Sequence, residues 1–391
     1  MTIPYGRQSI SEEDIAAVTT VLRSEYLTQG PAVPRFEELV GETCGAKFGV
    51  AMNSATSALH VACLALGVGR GDRVWTSAVT FVASANCARY CGALVDFVDI
   101  DDQTYNMSMS DLERRLEIAD SDGTLPKVVI PVHLAGQSCD MERIKFLSQK
   151  YGFRIIEDAS HAIGSSYKGE PVGSCKFSDI TVFSFHPVKI ITTGEGGMAV
   201  TNDQSLAASM ALLRSHGITR EPEQMKAAAD GPWYYEQLGL GFNYRMTDIA
   251  AALGCSQIER LREFVEERNQ IAQRYDLMLR DYPVRTPWQH PDSRSSFHLY
   301  IVRPDTRALH TSHRELFERL RSRGILVNLH YIPVYRHPYY ASFGYDMNEY
   351  PVAEGYYAEA ISLPIFPGLL QSQQEEIISA LVEPRGHQTL F

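Results

Sequence analysis

The sequence predicts a two-domain α/β protein with a mostly parallel sheet in its larger, first domain. Three observations carry that expectation. From residue 50 to about residue 200, short apolar runs alternate with stretches of helical periodicity: RVWTSA, ALVDFVDI, KVVIPVHL, FRIIED, DITVFSF and GMAVTND. That alternation is the mark of strands and helices wound into a parallel sheet. The pattern then changes, as a long helical stretch leads into SSFHLYIVRP, GILVNLHYIPVY and a last helical segment, which indicates a smaller α+β unit. Finally, 391 residues at 45% hydrophobic composition can bury more than one core. The expected division is 1–250, an N-terminal arm and large domain, and 251–391, a small C-terminal domain.

In chain order, a polar arm comes first. Ser11-Glu-Glu-Asp14 reads as a helix start, and Ile15, Val18 and Leu22 recur at helical spacing, so residues 11–23 are expected to form an amphipathic helix. The turn-rich stretch Ala119 to Lys127 lies between strands and marks no boundary. There is no internal repeat and no low-complexity tract.

A formal net charge of -11 gives no reason to expect nucleic acid or an anionic membrane as partner. No apolar run reaches the ~20 residues a membrane span needs, and MTIPYGRQSISEED lacks a basic-then-apolar leader, so a cytoplasmic location is expected. Seven scattered cysteines, odd in number, read as reduced core residues.

The chemistry centres on FSFHPVKIITTGEGG. Lys189 stands among Phe185, Val188, Ile190 and Ile191, and burial lowers a lysine's pKa, which makes the amine available to attack a carbonyl. Asp158 ends the strand-like FRIIED, where a carboxylate at a sheet's carboxyl edge can face a ligand and hold a pyridine nitrogen protonated; by itself it reads equally as the start of a turn. In NSATSALH, Ser54, Thr56 and Ser57 precede a helical pattern, a place that suits a phosphate or simple N-capping. Ser184 offers another hydroxyl, Phe81 a face for a planar ring, and His161 a contact on the ring's other side, although a lone Phe or His is more often structural. No histidine or carboxylate cluster has metal-ligand spacing; His161 and Glu157 share a helix face at most. GEGG reads as a tight turn before GMAVTND, not as a dinucleotide loop.

Six blocks in one order and spacing, LTQGPAVPRFEE, NSATSALH, TFVASAN, IIEDASHAIGSSYKGEPVG, FSFHPVKIITTGEGGMAVTND and GFNYRMTDIAAALG, resemble the DegT/DnrJ/EryC1/StrS sugar aminotransferases over nearly the whole chain. The resemblance implies an enzyme with the aspartate aminotransferase fold type I that uses pyridoxal 5'-phosphate. Residue by residue, it implies that Lys189 bonds the cofactor, that Asp158 partners its pyridine nitrogen, and that Phe81 and His161 contact its ring. Thr56, Ser57 and Ser184 would contact its phosphate, as would Asn243 of a neighbouring subunit in a homodimer with shared active sites.

The usual Ser-Gly-Thr turn of the family reads Ser54-Ala55-Thr56 here. NSATSAL, RSHGI and NLHYIPVY are similar to the pseudaminic-acid branch, which aminates carbon 4 of a UDP-linked 4-keto-6-deoxy hexose. By that resemblance Tyr5, Glu25, Tyr26, Leu27, Thr28, Ala55, Ser184, Asn243, Asn328, Leu329, His330 and Tyr331 would line the sugar-nucleotide site, with L-glutamate as amino donor. Each has a structural alternative: arm anchoring for Tyr5, a helix exit for Glu25 to Thr28, an inter-domain strand for Asn328 to Tyr331. Rival functions are an aminotransferase for a 3-keto or dTDP-linked sugar, a dehydratase of the same fold, which would carry histidine in place of Lys189, and a catalytically silent sugar-nucleotide-binding protein, which needs neither Lys189 nor Asp158.

Overall fold

The computed structural model describes residues 2–383. Seven strands form the main sheet: β1 (Phe48–Met52), β2 (Arg73–Ser77), β3 (Leu94–Val98), β4 (Val128–Ile130), β5 (Arg154–Asp158), β6 (Ile180–Ser184) and β7 (Gly197–Thr201). Across the sheet they run β1-β7-β6-β5-β4-β2-β3. Every pairing is parallel except those of β7, which is antiparallel to both β6 and β1. The six apolar runs all form strands; β1, FGVAM, is an addition at the edge. Because β7 reverses direction, the segment joining it to β6 must stay at the carboxyl edge of the sheet. Lys189 lies in that segment.

The helices that precede, separate and follow these strands are α1 (Glu12–Leu22), α2 (Ala32–Cys44), α3 (Ala55–Ala65), α4 (Ala83–Tyr90), α5 (Met109–Asp122), α6 (Met141–Tyr151), α7 (Gln204–Arg214), α8 (Asp248–Glu259) and α9 (Leu261–Leu279). With helices on both faces, β5, β6 and β7 are buried nearly throughout, which explains their unbroken apolar runs.

α1 starts where expected, with Ser11 and Asp14 forming a capping box. Its orientation differs from the expectation. The apolar stripe points outward, leaving Ile15 50% and Leu22 55% exposed, while Asp14 is buried. The cause is ionic: the Asp14 carboxylate accepts from Arg260 at 2.5 Å and Gln257 at 2.7 Å, which fixes the polar face of α1 against α8. Among the described residues, no helix is long and apolar enough to cross a membrane.

A second, three-stranded antiparallel sheet, β8 (Val284–Arg285), β9 (Tyr300–Pro304) and β10 (Ile361–Leu363), packs with Ile271, Tyr275, Leu316, Leu320 and Leu381. Ile3 joins this core, and Ile3–Pro4 pairs in parallel with Ile325–Leu326. The expected division after residue 250 falls inside α8, whose Ala251 and Ile258 pack with the large sheet; the core changes hands within α9, between Val265 and Ile271. Of GILVNLHYIPVY, only Ile325–Leu326 is strand.

Candidate active site

The carboxyl ends of β5 and β6 and the start of β7 meet the N-terminus of α3 at a cavity of about 700 Å³. Open α/β sheets bind ligands at this edge because chain reversals there leave a crevice and aim helix N-termini into it. Lys189 lines the crevice, its backbone N–H bonded to the His186 carbonyl at 2.9 Å. Burial lowers its pKa to about 8, against an opposing pull from the Asp158 charge. A larger share of the amine is thus in its neutral, nucleophilic form near neutral pH than an exposed lysine would offer.

Asp158 ends β5 and is buried. One carboxylate oxygen accepts from Ser84 Oγ at 2.6 Å and the other from the Ser160 N–H at 3.1 Å. Ser84 was not anticipated from sequence, although it follows Phe81 by three positions, the spacing that puts two residues of a helix start on one side. Beneath Asp158, Glu157 points to the opposite face of the sheet, where it meets His133 at 2.7 Å and accepts from Thr181 Oγ1 at 3.1 Å. Glu157 therefore shares no helix face with His161, since strand residues alternate sides.

The NSATSALH segment forms the start of α3 at the cavity, where an anion could be held. Ser54 caps α3 by accepting from the Ser57 N–H at 3.1 Å, and Ser57 Oγ donates to Asn53 at 2.6 Å. Ala55 and Thr56 stand in the helix's first turn, where backbone N–H groups have no intrahelical acceptor, and both line the cavity. Ala55 has no positive φ, so the methyl group at the family's usual glycine position is accommodated. The close approach falls instead at Gly197, where a Cβ would sit 2.3 Å from the Ala55 nitrogen. Ser184, at the end of β6, faces the same space.

The walls are aromatic. Phe81 is 55% exposed at the cavity, its ring 5.9 Å from that of Tyr331. His161 accepts the Ala135 N–H on Nδ1 at 3.3 Å, which leaves its proton on Nε2 to donate to the Tyr331 hydroxyl at 3.0 Å. Burial, then the Lys189 charge, hold the His161 pKa well below its ordinary value, so the ring is neutral. His330 is likewise pushed down to about 3 by burial and Lys189. It is held by Ser362 at 2.8 Å and Asn328 at 3.3 Å, and its ring lies 5.1 Å from Tyr5. Leu329 completes this side of the cavity. His298, which sequence patterns did not single out, packs 4.4 Å from His161 and also lines the space.

Five of the residues expected at the site lie elsewhere. Glu25, Tyr26, Leu27 and Thr28 are exposed and outside the cavity, as is Asn243. Thr28 bridges to Thr247, and the Asp248 N–H bonds the Leu27 carbonyl at 3.0 Å, which sets Leu27 and Thr28 against the segment that follows Asn243. This edge adjoins the cavity rim, because the Asn53 N–H bonds the Tyr244 carbonyl at 2.8 Å.

These residues fit pyridoxal phosphate. Asp158 would hold a protonated pyridine nitrogen, Phe81 offers an open aromatic face, the first turn of α3 would take the phosphate, and Lys189 supplies the amine. The cradle against Gly197 is too close for any side chain there, so the N-terminus of α3 and the start of β7 form one surface.

The profile of the DegT/DnrJ/EryC1/StrS aminotransferase family matches residues 8–382. The chain is similar to the spore coat polysaccharide biosynthesis protein SpsC of Bacillus subtilis, 38% identical over 97% of this chain and 96% of that protein. It is also similar to a UDP-4-amino-4,6-dideoxy-N-acetyl-beta-L-altrosamine transaminase of Campylobacter jejuni, 38% identical over 93% and 92% of the two chains. Among solved structures, PseC of Helicobacter pylori, an aminotransferase involved in the biosynthesis of pseudoaminic acid, superimposes with a TM-score of 0.88 at 31% identity, covering 97% of this chain and 98% of its own. The PLP form of the sugar aminotransferase Spr1654 of Streptococcus pneumoniae gives 0.86 at 30% identity, covering 98% of each.

Proposed function

Because the chain belongs to the DegT/DnrJ/EryC1/StrS aminotransferase family, whose members are pyridoxal phosphate-dependent nucleotide-sugar aminotransferases, we propose that it moves an amino group from L-glutamate to carbon 4 of a UDP-linked 4-keto-6-deoxy-N-acetylhexosamine. The observation that carries this reading is the meeting of Lys189, Asp158 and the first turn of α3 in one cavity of about 700 Å³, within the ~300–1,000 Å³ range typical of small-molecule sites. The Campylobacter and Helicobacter relatives support the sugar.

Pyridoxal phosphate, when bound, supplies a ring that accepts the electron pair left on a substrate carbon when its proton departs. The chain supplies the rest. Lys189 Nζ, its basicity lowered by burial, takes that proton and returns it. Asp158, oriented by Ser84 and Ser160, keeps a proton on the ring nitrogen. Tyr5, His330 and Tyr331 offer polar contacts to the sugar, and with His161 and His330 neutral they add no positive charge beside Lys189. The lysine and the buried carboxylate together disfavour both the dehydratase and the silent binding protein.

The test is a panel of UDP- and dTDP-linked ketosugars incubated with the protein, cofactor and L-glutamate, with products identified by mass and NMR. A 4-amino sugar nucleotide from the UDP-4-keto substrate is expected. Amination of only a 3-keto or dTDP-linked sugar would remove the proposed substrate and leave the aminotransferase reading standing.

The proposed enzyme is a homodimer that shares its active sites. Supporting this, Asn243 and Glu25 to Thr28 are exposed outside their own cavity, and Ile10, Ile15 and Leu22 are further exposed apolar residues. If Asn243 completes the partner's phosphate site, Lys189→Ala and Asn243→Ala are each inactive alone, yet mixing equal amounts under exchange conditions restores about a quarter of native activity through hybrids with one intact site. No recovery on proven subunit exchange would count against the shared site. A cytoplasmic setting is part of the same proposal, in keeping with seven free cysteines.

A further inference from the structure

Asn106, in the connection between β3 and α5, is buried and lies outside the cavity. Its side-chain amide closes a single turn: Nδ2 donates to the Gln137 carbonyl at 3.0 Å, and Oδ1 accepts the Leu134 N–H at 2.9 Å. Both partners are backbone groups with fixed roles, so the amide stands only one way round. Within the turn Ala135 has a φ of 59° and Gly136 a φ of 103°. Alanine keeps such a left-handed backbone only where its surroundings hold it there. The Ala135 N–H meets His161 Nδ1 at 3.3 Å. We propose that Asn106 is a positioning residue of the active site: by closing this turn it aims the Ala135 N–H at His161, keeps the imidazole proton on Nε2, and so frees the Tyr331 hydroxyl to donate into the cavity.

The direction of each bond follows from its ends. A backbone N–H can only donate, so Nδ1 accepts, and a neutral imidazole then carries its one proton on Nε2. Nε2 lies 3.0 Å from the Tyr331 oxygen. Since that oxygen accepts from His161, its own proton is left to point elsewhere, and Tyr331 lines the cavity. Burial raises the Tyr331 pKa above its ordinary value, so the hydroxyl keeps that proton. In the other tautomer Nε2 would take up the Tyr331 proton, and the cavity would lose a donor.

The turn and the ring are also tied from a second side. Ser165 Oγ donates to the Gly136 carbonyl at 2.7 Å, and Ser296 Oγ donates to the His161 carbonyl at 2.9 Å. A donor at Tyr331 suits an oxygen of the substrate, the ketone or a hydroxyl of the sugar. That last step rests on the sugar-nucleotide reading above, whereas the position of the His161 proton does not.

The test is NMR of the ring nitrogens in the native, cofactor-loaded protein labelled at histidine, with the His161 signals identified by their loss in His161→Gln. The expected result is an acceptor-type signal from Nδ1 and an N–H signal from Nε2; a proton on Nδ1 would overturn the proposal. Asn106→Ala, checked by thermal unfolding, is expected to bring in the second tautomer. It should also slow the sugar half-reaction about tenfold more than the glutamate half-reaction, the effect of losing one hydrogen bond. In a Tyr331→Phe background, where no hydroxyl is left to direct, the same change should bring no such excess. Asn106→Asp, which keeps the acceptor for Leu134 and loses the donor to Gln137, takes the place of the alanine variant if that chain does not fold. Unchanged His161 signals in a folded Asn106 variant, or equal slowing of both half-reactions with Tyr331 present, would refute the role given to Asn106. The ring signals need no sugar, so they judge the tautomer even where a different ketosugar proves to be the substrate, and the half-reactions are then compared with that sugar.

Discussion

Lys189→Ala is expected to abolish turnover, by about 10⁴-fold or more, while leaving the fold intact. The size of the effect comes from one amine holding two jobs, bonding the cofactor and carrying the substrate proton. The fold survives because the residue's tie to the rest of the chain is its backbone N–H to the His186 carbonyl, which alanine retains. Borohydride treatment of the native, cofactor-loaded protein should fix the cofactor's mass to the peptide containing Lys189, and a label on any other lysine would sink the assignment. The pH dependence has a definite sign. Burial lowers the Lys189 pKa from 10.5 to about 8, so the neutral amine accumulates as pH rises through that value. Cofactor capture by the apoprotein should therefore quicken between about pH 6.5 and 9 and then level off.

Asp158→Asn is expected to slow the glutamate half-reaction by about 10²–10³-fold, with stability changed by no more than about 1 kcal/mol. The substitution preserves shape. The amide oxygen can still accept the Ser160 N–H, and the Ser84 hydroxyl can rotate to accept from the amide nitrogen. What disappears is the negative charge that keeps a ring nitrogen protonated. The change in cofactor absorbance on mixing with glutamate measures the rate directly, and thermal unfolding measures the stability. A half-reaction at native speed would mean that Asp158 has a different task.

Much of this site could be read from residue order because its chemistry is local. Lys189 announces itself as a cation among apolar neighbours, Asp158 as a carboxylate at a strand end, and Ser54 to Ser57 as hydroxyls before a helical pattern. The strands were legible for a similar reason, since a sheet covered on both faces needs unbroken apolar runs. What stayed hidden depends on which surfaces meet. FGVAM is too short and too mixed to declare itself as β1 until β7 turns back to pair with it. The stripe of Ile15, Val18 and Leu22 pointed to a buried face, yet Gln257 of α8 and Arg260 just past its end, distant in sequence, claimed Asp14 instead. His298 reaches the cavity only because residues 295–299 are locked to the turn at Gly136, where a Cβ would lie 2.6 Å from Ser296 Oγ. Nor does any local pattern say that Asn243 should leave its own cavity; family resemblance alone raised that role.

The pairing of Ile3–Pro4 with Ile325–Leu326 has a bearing on how the protein is made and handled. The arm leaves the ribosome more than three hundred residues ahead of the strand that receives it, an interval of about 20–60 s at ordinary translation speeds. Tyr5 therefore cannot take its place beside His330 until that later segment has been made, and a nascent chain can complete the edges of β5 and β6 well before it has a finished pocket. An affinity tag fused just before Ile3 would emerge within a few residues of Tyr5, so a tag placed away from Ile3 is the safer choice for any assay of sugar binding.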